Sequence, residues 1–321
     1  MTRMHFLAAT GGTVAASLLP HSGGASESEI ALDTATGQIA GTLFLPAGGV
    51  PIPVVLIIAG SGPTDRNGNS PMLPGKNNAY KLLAAALAER GIASVRYDKR
   101  GIGASVKVPE EDLRFDTYVD DAAAWIRKLH HDARFARVIV AGHSEGALVG
   151  TIAVQRAPAY ALASLEGAGR PAATILREQL KPKLPPLLYE QAEAALLSLQ
   201  AGHTVASPPP ELQALFRPSV QPYLISWFAY NPAVEIAKVD IPICIVQGTA
   251  DVQVSEVDAE ALARAAPRAT LVIVKGMNHV LKYAPNVSSQ EAILRGYEDP
   301  SLPVDLQAVG AVAAICSETK S

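Results

Sequence analysis

Cysteine is nearly missing from this chain: Cys244 and Cys316 are the only two in 321 residues. Two thiols cannot make a disulfide framework, and buried free thiols are the expectation. No His/Cys cluster has zinc spacing and no acidic loop has calcium spacing, so no metal is expected. A basic excess is also missing. Lys and Arg number 27 against 30 Asp and Glu, a formal net charge of −3, which excludes the positive face a nucleic-acid partner needs. Beyond the N-terminal segment no apolar run approaches the ~18–20 residues of a membrane span. Aromatic residues are only 5% of the chain, so the places where they gather carry information.

Those places stand out against a chain that is 49% hydrophobic, enough for a large core in one α/β domain with an insertion. The N-terminus begins Met1-Thr2-Arg3-Met4-His5, continues through an apolar run from Phe6 to Leu19, and reaches small residues at Gly23-Gly24-Ala25. That order predicts an export signal over residues 1–25, and a periplasmic or secreted protein. It is similar to a twin-arginine signal, although only Arg3 is present.

Strand and helix signals then alternate. Glu29–Asp33 and Gln38–Leu45 read as an antiparallel pair, Val54–Ile58 as a strand covered on both faces, and Asn78–Arg90 as an amphipathic helix stopped by Gly91. Ile92–Tyr97, Arg137–Ala141, Leu162–Leu165, Ile243–Val246 and Thr270–Val274 read as further strands. Thr117–His130 (with Asp116 as N-cap), Ser144–Arg156, Ser255–Ala265 and Val304–Ser317 read as helices. The expected class is α/β: a mostly parallel sheet with helices on both faces, its core formed by residues 26–166 and 240–321. Residues 167–239 break the alternation. With helical runs at Ala172–Leu180 and Leu187–Leu199, they read as a helical cap. Its aromatics Tyr223, Trp227, Phe228 and Tyr230 either line a substrate pocket or pack the cap onto the core.

Chemistry concentrates at Gly142-His143-Ser144-Glu145-Gly146. A G-x-S-x-G pentapeptide between a strand and a helix is the pattern of a nucleophile elbow, a sharp turn that lifts a serine hydroxyl above the sheet edge. A serine needs a base, and a base histidine needs a carboxylate to steer it. Two loops that follow strands supply both, in the order serine, acid, histidine: Gly248-Thr249-Ala250-Asp251 and Gly276-Met277-Asn278-His279. The backbone N–H groups of Glu145, at the head of a helix, and Ser61, in Gly60-Ser61-Gly62, are the candidate donors for an oxyanion. Arg66 and Arg100 either touch an acidic substrate or pair with nearby acids to tie two loops together. Gly101-x-Gly103 lacks the third glycine of a dinucleotide fingerprint, so no cofactor is implied.

Four motifs together carry a resemblance. Gly60-Ser61-Gly62-Pro63-Thr64-Asp65-Arg66-Asn67-Gly68, Arg96 to Ser105, Gly-His-Ser-Glu-Gly and Gly248-Thr249-Ala250-Asp251-Val252-Gln253-Val254 resemble the EstD-like group of bacterial α/β-hydrolase esterases, over roughly residues 30 to 320. The resemblance implies a carboxylesterase for short acyl chains with a helical cap, with Ser144, Asp251 and His279 as its triad. This chain has Ala59-Gly60 where many hydrolases have His-Gly. A small-molecule ester is the expected partner. The same triad also serves thioesterases, peptidases and acyltransferases, and the fold can persist in a silent binding protein.

Overall fold

Val54-Val55-Leu56-Ile57-Ile58 shows how the interior is divided. Successive side chains of a strand point to opposite faces. Val54, Leu56 and Ile58 accordingly enter one hydrophobic cluster, while Val55, Ile57 and the following Ala59 enter another on the far side of the sheet. The computed structural model describes residues 24–73 and 75–317. The expected export signal lies almost wholly outside the described residues.

Eight strands form one sheet: β1 (Ser26–Thr34), β2 (Gly37–Leu45), β3 (Ile52–Ile58), β4 (Ala93–Tyr97), β5 (Phe135–His143), β6 (Ala161–Leu165), β7 (Ile243–Gly248) and β8 (Thr270–Val274). Their spatial order is β1-β2-β4-β3-β5-β6-β7-β8. β2 runs antiparallel to β1 and to β4, and the other pairings are parallel. This is the sheet of the α/β-hydrolase fold.

The helices in chain order are α1 (Ala79–Ala88), α2 (Phe115–His130), α3 (Glu145–Arg156), α4 (Ala172–Leu180), α5 (Pro186–Gln200), α6 (Gln213–Phe216), α7 (Gln221–Phe228), α8 (Pro232–Ile236), α9 (Glu256–Ala265), α10 (Gln290–Glu298) and α11 (Leu306–Ser317). In α1 the buried residues Tyr80, Leu83, Ala84 and Leu87 recur at i, i+3, i+4 and i+7, one stripe of a helix. That stripe joins Val309, Val312 and Ile315 of α11 on one face of the sheet; α2, α3 and α9 cover the other. Each fully buried Leu, Ile or Val contributes about 1.5–3 kcal/mol to this core. Cys244 and Cys316 are both buried, and no disulfide joins them.

The insertion between β6 and β7 holds five helices, α4 to α8, and its apolar residues are continuous with the α2–α3 side of the core. Asp116 is not the N-cap of α2. The helix starts one residue earlier, and Ser226 Oγ of α7 accepts the Phe115 N–H at 2.8 Å. Asp116 instead accepts bonds from Arg156 and from the Tyr230 hydroxyl. The short helix α10 is an addition to the expected elements, and α11 begins at Leu306 rather than Val304.

Candidate active site

Ser144 stands where β5 hands over to α3, with φ 55° and ψ −122°. A non-glycine residue held in such a region costs on the order of 1–3 kcal/mol. The surroundings enforce it: Ser144 N–H donates to Leu165 O of β6 at 2.9 Å, and Ser144 O accepts from Ala147 N–H at 3.0 Å. Glycine on both sides makes the turn sterically feasible. A Cβ on Gly142 would overlap the Gly146 carbonyl, and one on Gly146 would stand 2.5 Å from Ile58 O.

Asp251 and His279 come from the loops after β7 and β8. Their side chains meet, with His279 Nδ1 2.7 Å from Asp251 Oδ2. The other carboxylate oxygen, Oδ1, accepts the N–H groups of Gln253 at 2.7 Å and Val254 at 3.1 Å. Burial alone would raise the Asp251 carboxyl. The facing imidazole and these hydrogen bonds outweigh burial and bring it down to about 2. An ionised carboxylate only accepts, so His279 donates from Nδ1 and its Nε2 carries the free lone pair. His279 and Ser144 line the same cavity. Among the described residues no hydrogen bond joins Ser144 Oγ to the imidazole, a separation common in unliganded sites.

Behind this pair sits Glu166, which the sequence did not single out. It follows β6 directly, is fully buried and has φ 49°. Its Oε1 accepts the Gly248 N–H at 2.9 Å, while Oε2 meets no partner. Ligand atoms of Glu166, Asp251 and His279 lie within 4.8 Å of one another, the one grouping among the described residues with metal-ligand character. The Asp251–His279 hydrogen bond already engages two of them. Burial, then the Asp251 charge, raise Glu166 well above the ordinary carboxyl range.

Ser61 and Glu145 both line a cavity with Ser144. The loop carrying Ser61 is held from two directions. Lys99, buried, donates from Nζ to Gly60 O at 2.6 Å and lies 3.8 Å from Glu145 Oε1. Burial lowers the Lys99 ammonium, with the Glu145 charge opposing. Gly60 O and Ser61 N–H belong to one trans peptide and point in opposite directions. Fixing the carbonyl therefore aims the N–H.

From the second direction, Gly60 N–H donates to Tyr80 Oη at 3.1 Å, Tyr80 Oη lies 2.8 Å from His143 Nδ1, and His143 Nε2 lies 2.6 Å from His279 O. A carbonyl can only accept, so Nε2 carries the His143 proton. Burial, then the His279 imidazole alongside, lower the His143 pKa to about 3, leaving the ring neutral and Nδ1 an acceptor for the Tyr80 O–H. One directed chain thus ties the Ser61 loop to the backbone of His279. The sequence placed His143 beside Ser144 without assigning it this task.

Arg66 lies 3.0 Å from Asp98 and joins the Gly60–Asn69 loop to the one after β4, whereas Arg100 pairs with Asp121 of α2 at 2.6 Å. Pairing with acids is therefore the observed role of both. Of the four insertion aromatics only Trp227 lines a cavity beside Ser144. Tyr223, Phe228 and Tyr230 take part in packing around Phe115 and Trp227. Tyr223 and Phe228 are buried. Phe115 of α2 stacks on Trp227 at 6.2 Å and meets Tyr230 at 5.3 Å and Tyr223 at 6.3 Å, so the cluster fastens the insertion to α2.

Residues 75–194 match the Hydrolase_4 family model, described as serine aminopeptidase, S33. The chain is 29% identical over 229 residues to esterase EstD of Thermotoga maritima, covering 71% of this chain and 53% of that protein. It thus spans about half the length of that relative. Est1E of Butyrivibrio proteoclasticus, solved with ferulic acid bound, superposes with a TM-score of 0.57 at 17% identity, over 84% of this chain and 96% of that one. A thermophilic esterase from Thermogutta terrifontis, in a malate-bound structure, gives 0.51 at 17% identity, over 79% and 92%. Sheet order, strand-to-helix turn and these likenesses agree: the chain has the α/β-hydrolase fold and is EstD-like in sequence.

Proposed function

We propose that this chain is a serine carboxylic-ester hydrolase that acts on short-chain acyl esters through an acyl-enzyme. The observation that carries the reading is the 2.7 Å Asp251–His279 hydrogen bond, which leaves His279 Nε2 as the acceptor on a cavity that Ser144 also lines. In the first half-reaction Ser144 Oγ attacks the ester carbonyl while Nε2 takes its proton. The imidazolium then protonates the leaving alcohol. In the second half-reaction water attacks the acyl carbonyl while Nε2 takes its proton; the bond to Ser144 Oγ then breaks, the imidazolium returns the proton to Oγ, and the acid departs. The N–H groups of Ser61 and Glu145 receive the negative charge of each tetrahedral intermediate. Glu145 is the first residue of α3, where N–H groups have no acceptor inside the helix.

A short acyl group is favoured by the space beside Ser144. The cavity there has a volume of about 80 Å³ and is walled by Leu148, Ala172, Ile175, Leu176, Trp227 and Val254. With p-nitrophenyl esters from acetate to palmitate, kcat/KM is expected to peak at two to six carbons. A steady rise to sixteen carbons would contradict the acyl-length assignment, and no hydrolysis of any ester would contradict the activity. Aminopeptidase action is disfavoured because such an enzyme needs a carboxylate for the substrate amine. Among the described residues Glu145 is the one acid lining either cavity at Ser144, and it is paired with Lys99.

The Lys99 contact supports Ser61 as a donor and has a measurable consequence. Lys99→Met combined with Glu145→Gln, so that no unpaired buried charge remains, is expected to lower kcat by about 10²-fold with a much smaller change in KM. Steady-state kinetics against Glu145→Gln alone make the comparison. An unchanged kcat would remove Lys99 from the account.

A further inference from the structure

Two cavities open beside Ser144, and they share Ser61, Ser144 and Gln253. His279 lines only one of them. On the ester-hydrolase reading, the leaving oxygen must come within hydrogen-bond reach of His279 Nε2 to receive its proton. The alcohol therefore occupies the His279 side and the acyl chain the other. Both walls mix apolar and polar groups. The acyl side adds Arg170 and Gln179 to the apolar residues already described, whereas the His279 side carries uncharged groups able to meet hydroxyls, Thr64, Ser70, Asn77 and Tyr297, beside Leu73 and Val280.

We propose that the His279-side cavity is a subsite for an alcohol that carries further hydroxyl groups, a polyol in place of a simple alkanol. Asn77 is buried, and its Oδ1 is taken by the Ala79 N–H at 2.8 Å; among the described residues no acceptor meets its Nδ2. Tyr297, also buried, accepts from Gln253 Nε2 at 3.0 Å and retains its own O–H to donate. Thr64 Oγ1 donates to Ser61 O at 3.0 Å and keeps its lone pairs. Tyr80 is engaged on both sides and serves as wall. The site thus offers N–H and O–H donors and a hydroxyl acceptor from the β3–α1 loop and from α10, groups that the further hydroxyls of a polyol can meet. An alkyl alcohol strips water from these groups and returns no hydrogen bonds, and a site built for hydroxyls rejects an analogue without them.

The test holds the acid constant. Butyrate esters of ethanol, propanol and hexanol are compared with 2-hydroxyethyl butyrate and glyceryl monobutyrate. Because all form the same acyl-enzyme, differences in kcat/KM report the alcohol side. The expected result is a preference of about tenfold or more for the hydroxylated esters over ethyl and propyl butyrate. That ratio should fall toward one in Asn77→Asp, which keeps Oδ1 for Ala79 and loses the donors, and in Tyr297→Phe. Equal or better turnover of the alkyl esters, or a preference that survives both substitutions, would overturn the subsite while leaving the ester-hydrolase reading intact. No hydrolysis of any ester would overturn both.

Discussion

Replacing Ser144 with alanine is expected to lower the turnover of a short ester by about 10⁴- to 10⁶-fold. The loss comes from the chemical step. Without the hydroxyl no acyl-enzyme forms, and the remaining groups can only assist direct attack by water. Alanine is accommodated by the same turn, since the strained geometry is imposed by Gly142, Gly146 and the Ser144–Leu165 hydrogen bond and owes nothing to the hydroxyl. Circular dichroism and thermal melting should therefore match the unaltered protein, while stopped-flow traces lose any burst of released alcohol. Full activity in a well-folded Ser144→Ala would remove Ser144 from the chemistry.

Asp251→Asn is expected to cost about 10⁴-fold in kcat, with KM little altered, and the reason is a tautomer. Asp251 Oδ1 accepts two backbone N–H groups, so an asparagine must keep its oxygen there. Its amide nitrogen then faces His279 Nδ1 and donates to it. The imidazole is forced to carry its proton on Nε2, the nitrogen that has to accept from Ser144. Rates with a short ester measure the loss, and an NMR assignment of the His279 ring proton separates a wrong tautomer from a displaced ring. A fall of less than tenfold would mean that Asp251 does not govern the tautomer.

The middle of the sheet was legible because its strands include uninterrupted apolar runs bounded by turn residues, as at Val54–Ile58 and Ile243–Val246. Two large cores demand that pattern. The elbow was legible because glycine is obligatory where β5, β3 and α3 approach within contact distance. Helix α10 escaped because it is short and buries little beyond Gly296 and Tyr297. The start of α2 escaped because its N-cap is Arg114, not one of the usual capping residues, and the Phe115 N–H is met by Ser226, more than a hundred residues away. Glu166, Lys99 and His143 escaped for a related reason. Each is a polar residue made important by burial, and burial arises from tertiary packing that no local spacing encodes. The aromatics around Trp227 have the same composition whether they face a ligand or Phe115. Only their direction separates the two, and Trp227 alone reaches the cavity.

The central claim is that one serine hydroxyl, activated through His279, becomes acylated. It is tested most directly by treating the protein with a fluorophosphonate and mapping the adduct by peptide mass spectrometry. A single adduct on the peptide containing Ser144 is predicted, absent in Ser144→Ala and formed at least about a hundredfold more slowly in His279→Gln. Ester hydrolysis that continues while Ser144 stays unlabelled, or an adduct on another residue, would contradict the account.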